Sequence, residues 1–485
     1  MDTEFLRYKF EDSYDGVIIK SKFKIGVRHV QIIYMFVCSV VMGVMRGSTG
    51  VGILAITDTD HSSSNVEIHH WSRRIQGTIL SSYFFGYALL LIPAERYLAQ
   101  LGEKFVLTSV LLINGALSAA MPTIVNKGGW IATCNAQFLL GMTQACVTPV
   151  NQKLITNWLP PHERTSFNCL IQGGLLMGKL IGLPISGMIS EARLGWELIF
   201  YSQAMMTFSM AAIWGLLTAS TPEKHQAVGD SEIDFIKESS KLYHKKTLKN
   251  PWRRILKTRQ FWAIAGAHAS SNAIFTFFLV DMPAYLKSFQ LPLTDATFQV
   301  MLIFVSMWLV YILTAPTFEW AYRIGLVEHF FDIRYFRKLI NGFGVLGTVV
   351  GLIMLTNITP GGQLGVAILM LTLGSLGLQF SGFLENHRDM TQNFAGTLLV
   401  MTSAVASVVG AFVPLLTGII VDDVMDQTRW RIMYFILSGL VIGTGVFYTA
   451  CGGNDRQFWD DGPRNKFGYS NDTSNLELEE LGPKI

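Results

Sequence analysis

The chain has 485 residues, half of them hydrophobic and only 15% charged, with a net charge of +3 and a mean hydropathy of +0.36. A soluble domain carries about 25% charged residues, so the composition excludes an ordinary soluble protein, and the near-balanced charge gives no sign of a nucleic-acid partner. The five cysteines (Cys38, Cys134, Cys146, Cys169, Cys451) are scattered without a C-x-x-C spacing and are expected to be apolar fillers, with no disulfide framework or metal site.

A bilayer span needs ~20 largely apolar residues. Residues 1–29 are charged throughout and lack the apolar core of a cleavable signal peptide. From there the pattern predicts apolar helices near 30–56, 75–97, 104–124, 131–157, 164–190, 196–218, 261–286, 295–321, 338–357, 363–384, 394–421 and 430–450. The polar stretch 219–259, rich in Lys, Glu and Ser, separates them into 30–218 and 260–451 and is expected to hold a short surface helix. Residues 452–485 are polar and expected to be a disordered tail. With both ends cytoplasmic, about three quarters of the 38 lysines and arginines fall on that side. Most of them lie in the amino-terminal arm and the central stretch.

Between the fourth and fifth segments stands Asn157-Trp158-Leu159-Pro160-Pro161-His162-Glu163-Arg164, a polar turn whose proline pair stops one helix before the next begins. Further punctuation follows at Pro184-Ile185-Ser186-Gly187, at Gly195-Trp196 with Phe200-Tyr201, and at Thr221-Pro222-Glu223-Lys224-His225. Span 2 reads Gln76-Gly77, then Tyr83-Phe84-Phe85-Gly86-Tyr87. Together these resemble the anion:cation symporter family of the major facilitator superfamily, the group of sialin, vesicular glutamate transporters and type I sodium/phosphate cotransporters. The resemblance implies an all-α membrane protein with the major facilitator fold, twelve transmembrane helices in two six-helix halves, and a solute site between the halves near the bilayer midplane.

Arg46 lies about 18 residues, or ~27 Å, into the first segment. An arginine at that depth costs at least ~2.5–3.5 kcal/mol unless it faces a partner or a wet cavity, and its fork suits carboxylate or phosphate. The resemblance implies that it engages an anionic substrate; an interhelical ion pair is the alternative. Where many relatives carry an Arg and a Glu in span 4, this chain has Gln137 and Gln144, and Gln cannot titrate, so proton coupling through that acid is lost. Lys179 in the fifth segment can add a second positive charge. Tyr87, Gln144, Ser271 and Asn272 complete the expected solute contacts. His268 is the candidate coupling group, with helix packing an equal alternative. Asp281, near the outer end of its segment, is expected to be solvated. Asn386, His387 and Asp389 match the turn between spans 10 and 11 and are expected to form a cytoplasmic gate.

The expected function is secondary transport of a small anion, inorganic phosphate or an organic carboxylate, by alternating access, coupled to sodium or a proton and with no bound cofactor. An uncoupled facilitator is the alternative within that class, and a transport-silent sensor or trafficking protein the alternative outside it. No nucleophile–base pair or phosphate loop suggests an enzyme. The protein is expected to act as a monomer in the plasma membrane or in a lysosomal or vesicular membrane.

Overall fold

The computed structural model describes residues 26–58, 66–97, 101–241, 251–323, 333–357, 363–384, 386–391, 394–453, 457 and 459–460. Regular structure among them is helical throughout. In chain order the helices are α1 (Val27–Ile56), α2 (Arg73–Tyr97), α3 (Glu103–Ala145), α4 (Val147–Trp158), α5 (Pro161–Ser190), α6 (Gly195–Leu217), α7 (Asp230–Lys241), α8 (Trp252–Leu256), α9 (Arg259–Thr276), α10 (Met282–Lys287), α11 (Leu293–Arg323), α12 (Ile333–Leu355), α13 (Gln363–Phe383), α14 (Asn386–Met390), α15 (Ala395–Ile420) and α16 (Gln427–Cys451).

Ten stretches of the described residues are long and apolar enough to cross a membrane. Large apolar side chains such as Phe105, Met205, Leu216 and Phe343 face outward, as they must where lipid rather than water is the solvent. The chain is therefore an all-α, multi-pass membrane protein. One apolar stretch, Glu103–Trp158, is 56 residues long, or ~84 Å at 1.5 Å per residue, far more than the ~30 Å of hydrocarbon. It breaks at Gly129, whose φ of 64° and ψ of −165° are not helical. That left-handed φ strains any residue with a Cβ, which is why the break falls on a glycine.

The helices pack as two sets bridged at two seams. α1 lies along α5 and α6, and α3 packs on α2 and α6. α9 packs on α15 and α16, and α13 on α11 and α12. The seams are α2 against α15 and α5 against α11.

On the face that carries residue 26, polar contacts tie the first set to the segment that follows it. The Glu232 carboxylate accepts from the backbone N–H groups of Val27 and Arg28 at 3.1 and 3.2 Å, so a side chain of α7 caps the start of α1. The Arg28 guanidinium bridges Glu163 and Glu232, each at 3.2 Å. Trp158, fully buried, donates to the Ala219 carbonyl at 3.0 Å. Arg164 donates to the carbonyls of Leu159 and Thr156, both at 3.0 Å, closing the free end of α4. The proline-rich turn thus locks this face together. The carboxy-terminal segment reaches the same face. Trp459 is buried with its indole N–H on Thr258 Oγ1 at 3.1 Å, and Asp460 accepts from Thr391. Docking at Trp459 and Asp460 corrects the expectation of disorder from Gly452 onward, because one large indole anchors a stretch whose average polarity is high.

At the opposite, distal face the two sets meet directly. A Cβ added at Gly77 would lie 2.3 Å from the Pro414 carbonyl oxygen, so α2 and α15 touch almost backbone to backbone, and one at Gly187 would lie 2.2 Å from Thr297 Oγ1, the side chain by which α11 meets α5. Asp281 is 1% exposed rather than solvated, and Arg73 Nη2 lies 3.4 Å from its Oδ1. Asp58 pairs with Lys287 nearby. The correction at Asp281 has a local cause. Pro283 cannot donate to the preceding turn, and Phe277–Asp281 forms a wider π turn in which Asp281 is buried. Removing one member of a buried pair costs about 3–5 kcal/mol, whereas replacing both by apolar groups is nearly neutral. Arg73→Ala is therefore expected to lower the apparent Tm of the protein in nanodiscs markedly, and Arg73→Met with Asp281→Leu to restore most of it. An unchanged Tm for the single variant would contradict this pairing.

Candidate functional site

The centre of the first set is built on close packing between α1 and α5. A Cβ at Gly43 would lie 2.3 Å from the Leu175 carbonyl oxygen, one at Gly178 would lie 2.1 Å from that of Val40, and one at Gly47 would lie 2.3 Å from that of Lys179. Only glycine fits such an approach. Ser48 donates to the Val44 carbonyl at 2.7 Å within α1. The Arg46-Gly47-Ser48 sequence therefore brings α5 against α1 at the turn that carries the arginine.

Arg46 is half-buried. Its Nε donates to Gln144 Oε1 at 2.7 Å and its Nη2 to the Gln144 carbonyl at 3.1 Å. The guanidinium carbon lies 4.8 Å from the centre of the Tyr87 ring, a cation–π contact. Tyr83 donates its hydroxyl to the same Gln144 Oε1 at 2.7 Å, and Gln144 Nε2 donates to Asn114 Oδ1 at 3.1 Å. Asn114 Nδ2 in turn donates to Thr143 Oγ1 at 2.9 Å and to the Val110 carbonyl at 2.7 Å. The amide of Gln144 thus has both ends engaged, and helices α1, α2 and α3 converge on it. Among the described residues Arg46 has no carboxylate partner. Lys179 Nζ lies 4.7 Å from the centre of the Phe275 ring, on α9 of the other set. Chemically this is a fixed, partly exposed cation whose hydrogen-bond partners are polar but uncharged, an arrangement able to accept an anion.

The residues expected on α9 do not join that cradle. Ser271 is fully buried and donates to Gln379 Oε1 at 3.0 Å. Asn272 donates to the Ala406 carbonyl at 2.8 Å. Both hold α9 to its neighbours α13 and α15. His268 Nδ1 is 3.2 Å from Thr402 Oγ1, and the same hydroxyl is 2.8 Å from His387 Nε2. His387 Nδ1 donates to the Leu384 carbonyl at 2.9 Å. Two imidazoles bridged by one hydroxyl form a path along which a proton can pass. Asn386 donates to the Tyr448 hydroxyl; the side chain of Asp389 lies outside the described residues. Thus the expected coupling residue and one expected gate residue share a single network, which their separate places in the chain did not suggest.

Tyr83, Asn114, Thr402 and Phe275 also belong to these networks. Tyr83 stands four residues before Tyr87, one helical turn away on the same face. Asn114 is the lone amide of the apolar stretch 104–124, the usual mark of an internal hydrogen bond in a membrane.

Two bridged helix sets in a membrane, with an arginine that has no carboxylate partner among the described residues, are an arrangement that suits a solute transporter. Residues 35–399 match the family model of the Major Facilitator Superfamily, and the chain belongs to that superfamily. It is 29% identical over 401 residues to a putative inorganic phosphate cotransporter of Drosophila ananassae, covering 81% of each chain. It is 26% identical over 412 residues to human sialin, covering 82% of this chain and 81% of the relative. Against human vesicular glutamate transporter 2 it is 23% identical over 400 residues, covering 81% and 67%. The chain is homologous to this group at modest identity. Its fold is similar to that of a bacterial homolog of the human lysosomal transporter Spinster, with a TM-score of 0.67 at 13% identity over 87% of this chain and 96% of that one. A D-xylose-proton symporter gives 0.66 at 14% identity, with 88% and 100% covered. The chain is a transport protein of the secondary-active type for a small solute, not an enzyme.

Gly47→Ala is expected to force α1 and α5 apart, since its Cβ would fall 2.3 Å from the Lys179 carbonyl oxygen. Overpacking of this kind costs about 1–3 kcal/mol or more. A lower yield of monodisperse protein and a lower apparent Tm should follow, whereas wild-type behaviour would refute the close approach.

Proposed function

We propose that the chain carries a small anion, inorganic phosphate or an organic carboxylate, by alternating access between two six-helix halves. The halves are residues 30–218 and 260–451, joined by a cytoplasmic linker at 219–259. Twelve crossings follow when Glu103–Trp158 is counted as two and Gly195–Leu217 as one more. Both termini are cytoplasmic in this arrangement, in keeping with the basic arm and linker. The single observation that carries the proposal is Arg46, held in place by neutral Gln144 rather than by a carboxylate. The names of the phosphate-cotransporter and sialin relatives agree with an anionic solute.

Alternating access is supported by the seams. The distal face is closed by glycine contacts and by the Arg73–Asp281 and Asp58–Lys287 pairs, which must separate for the centre to open on that side. Coupling is to sodium or a proton, and proton coupling is assigned to His268, through Thr402 to His387. An uncoupled facilitator is the second possibility, favoured by the absence of a titratable proton on Gln144.

Reconstitution into liposomes separates these outcomes. With labelled phosphate and carboxylates, the wild type is expected to accumulate anion against a gradient when sodium or protons drive it. Equilibration alone would identify the facilitator. Arg46→Ala is expected to abolish flux in both cases, a loss of a hundredfold or more if its charge-assisted bonds of about 1.5–3 kcal/mol each are lost. Unimpaired uptake by that variant would reject the site.

A further inference from the structure

Among the described residues several other cations of the interior face carboxylates. Arg28 has Glu163 and Glu232, Arg73 has Asp281, and Lys287 has Asp58. Arg46 and Lys179 differ from these. Neither has a carboxylate partner among the described residues, and both keep partial exposure. They are also neighbours across one helix contact, because Gly47, next to Arg46, would place a Cβ 2.9 Å from Lys179 Cα. Arg46 is held by the Gln144 amide and stacks on Tyr87, while Lys179 rests on the Phe275 ring. All of these supporting groups are neutral. They orient the two charges and cancel neither.

Two positive charges inside a membrane repel each other and are each unfavourable alone. A ligand with one negative charge would leave a net positive charge in the low-dielectric interior. A ligand with two would neutralise the site. We propose that this site selects a dianion, such as hydrogen phosphate or a short dicarboxylate, with the Arg46 fork holding one charged end and the Lys179 ammonium the other. This inference rests on the anion-transport reading and narrows it by charge. Lys179 is then a specificity-determining residue, and it also touches the opposite helix set through Phe275. A dianion that draws the ammonium off that ring replaces a cation–π contact with an ionic one, which is the stronger of the two.

The test is calorimetric binding to the full-length protein in nanodiscs, using two matched pairs. Succinate is compared with its monomethyl ester. Phosphate at mildly alkaline pH, where it is mainly doubly charged, is compared with hypophosphite, a permanent monoanion. In at least one pair the dianion is expected to bind about tenfold or more tightly than the monoanion. Selectivity in the succinate pair alone identifies a dicarboxylate site, in the phosphate pair alone a phosphate site, and in both a site that reads charge. Lys179→Gln is expected to close the gap, weakening the dianion more than the monoanion, and Lys179→Arg to preserve it. Should the Gln variant not fold, the wild-type pairs and Lys179→Arg decide. Equal or tighter monoanion binding in both pairs overturns the dianion inference while leaving anion transport standing, as does a Lys179→Gln variant that loses both members alike. Failure of all four probes to bind overturns the anion reading, and this inference with it.

Discussion

A guanidinium inside a bilayer has to be held by something, and the choice of holder decides what the site can do. Here the holder is the amide of Gln144, which accepts from Arg46 Nε at 2.7 Å and again through its backbone carbonyl at 3.1 Å. An amide orients the arginine without cancelling its charge. A carboxylate in that place would have formed a buried ion pair, with little left for a solute. The rest of the centre serves this contact. Tyr83 on α2 and Asn114, on the other side of the Gly129 break in α3, fix the amide, Tyr87 lies against the guanidinium, and the glycines of α1 and α5 let Lys179 approach.

The surrounding architecture explains how a charged centre can exist in lipid at all. The ion pairs described above lie at the two faces, and apolar side chains cover the flanks. On one face Arg28, Glu163 and Glu232 knit the start of α1 to the polar turn and to α7. On the other, the two helix sets are joined by the Asp58–Lys287 and Arg73–Asp281 pairs, the second with imperfect geometry. Asp281 Oδ2 and Arg73 Nε are buried without partners. A contact that is buried yet incompletely satisfied holds less firmly than a full bidentate pair, which suits a seam that has to come apart.

Most of the helices were legible in the sequence because hydropathy and proline or glycine punctuation are local signals. The first segment, expected from residue 30, begins at Val27, and the fifth, expected from 164, begins at Pro161. Arg46, Tyr87 and Gln144 could be singled out because polar groups in apolar helices stand out, and the structure brings these three together. Long-range pairing was not legible. Arg73 and Asp281 are 208 residues apart, and nothing in either neighbourhood marks the other. Helical phase was the second obstacle. Ser271 and Asn272 are adjacent and so point about 100° apart, and each turned out to bond a different neighbouring helix. The π turn at Phe277–Asp281 shifted that phase again, which is why Asp281 could not be placed by counting.

The most direct measurement is a cryo-EM map of the protein in lipid with tungstate, a heavy tetrahedral dianion whose scattering identifies it. Density for the anion against the Arg46 guanidinium, with Gln144 still engaged on Nε, is the predicted result. Anion density remote from Arg46, or a guanidinium turned away into lipid, would contradict the account.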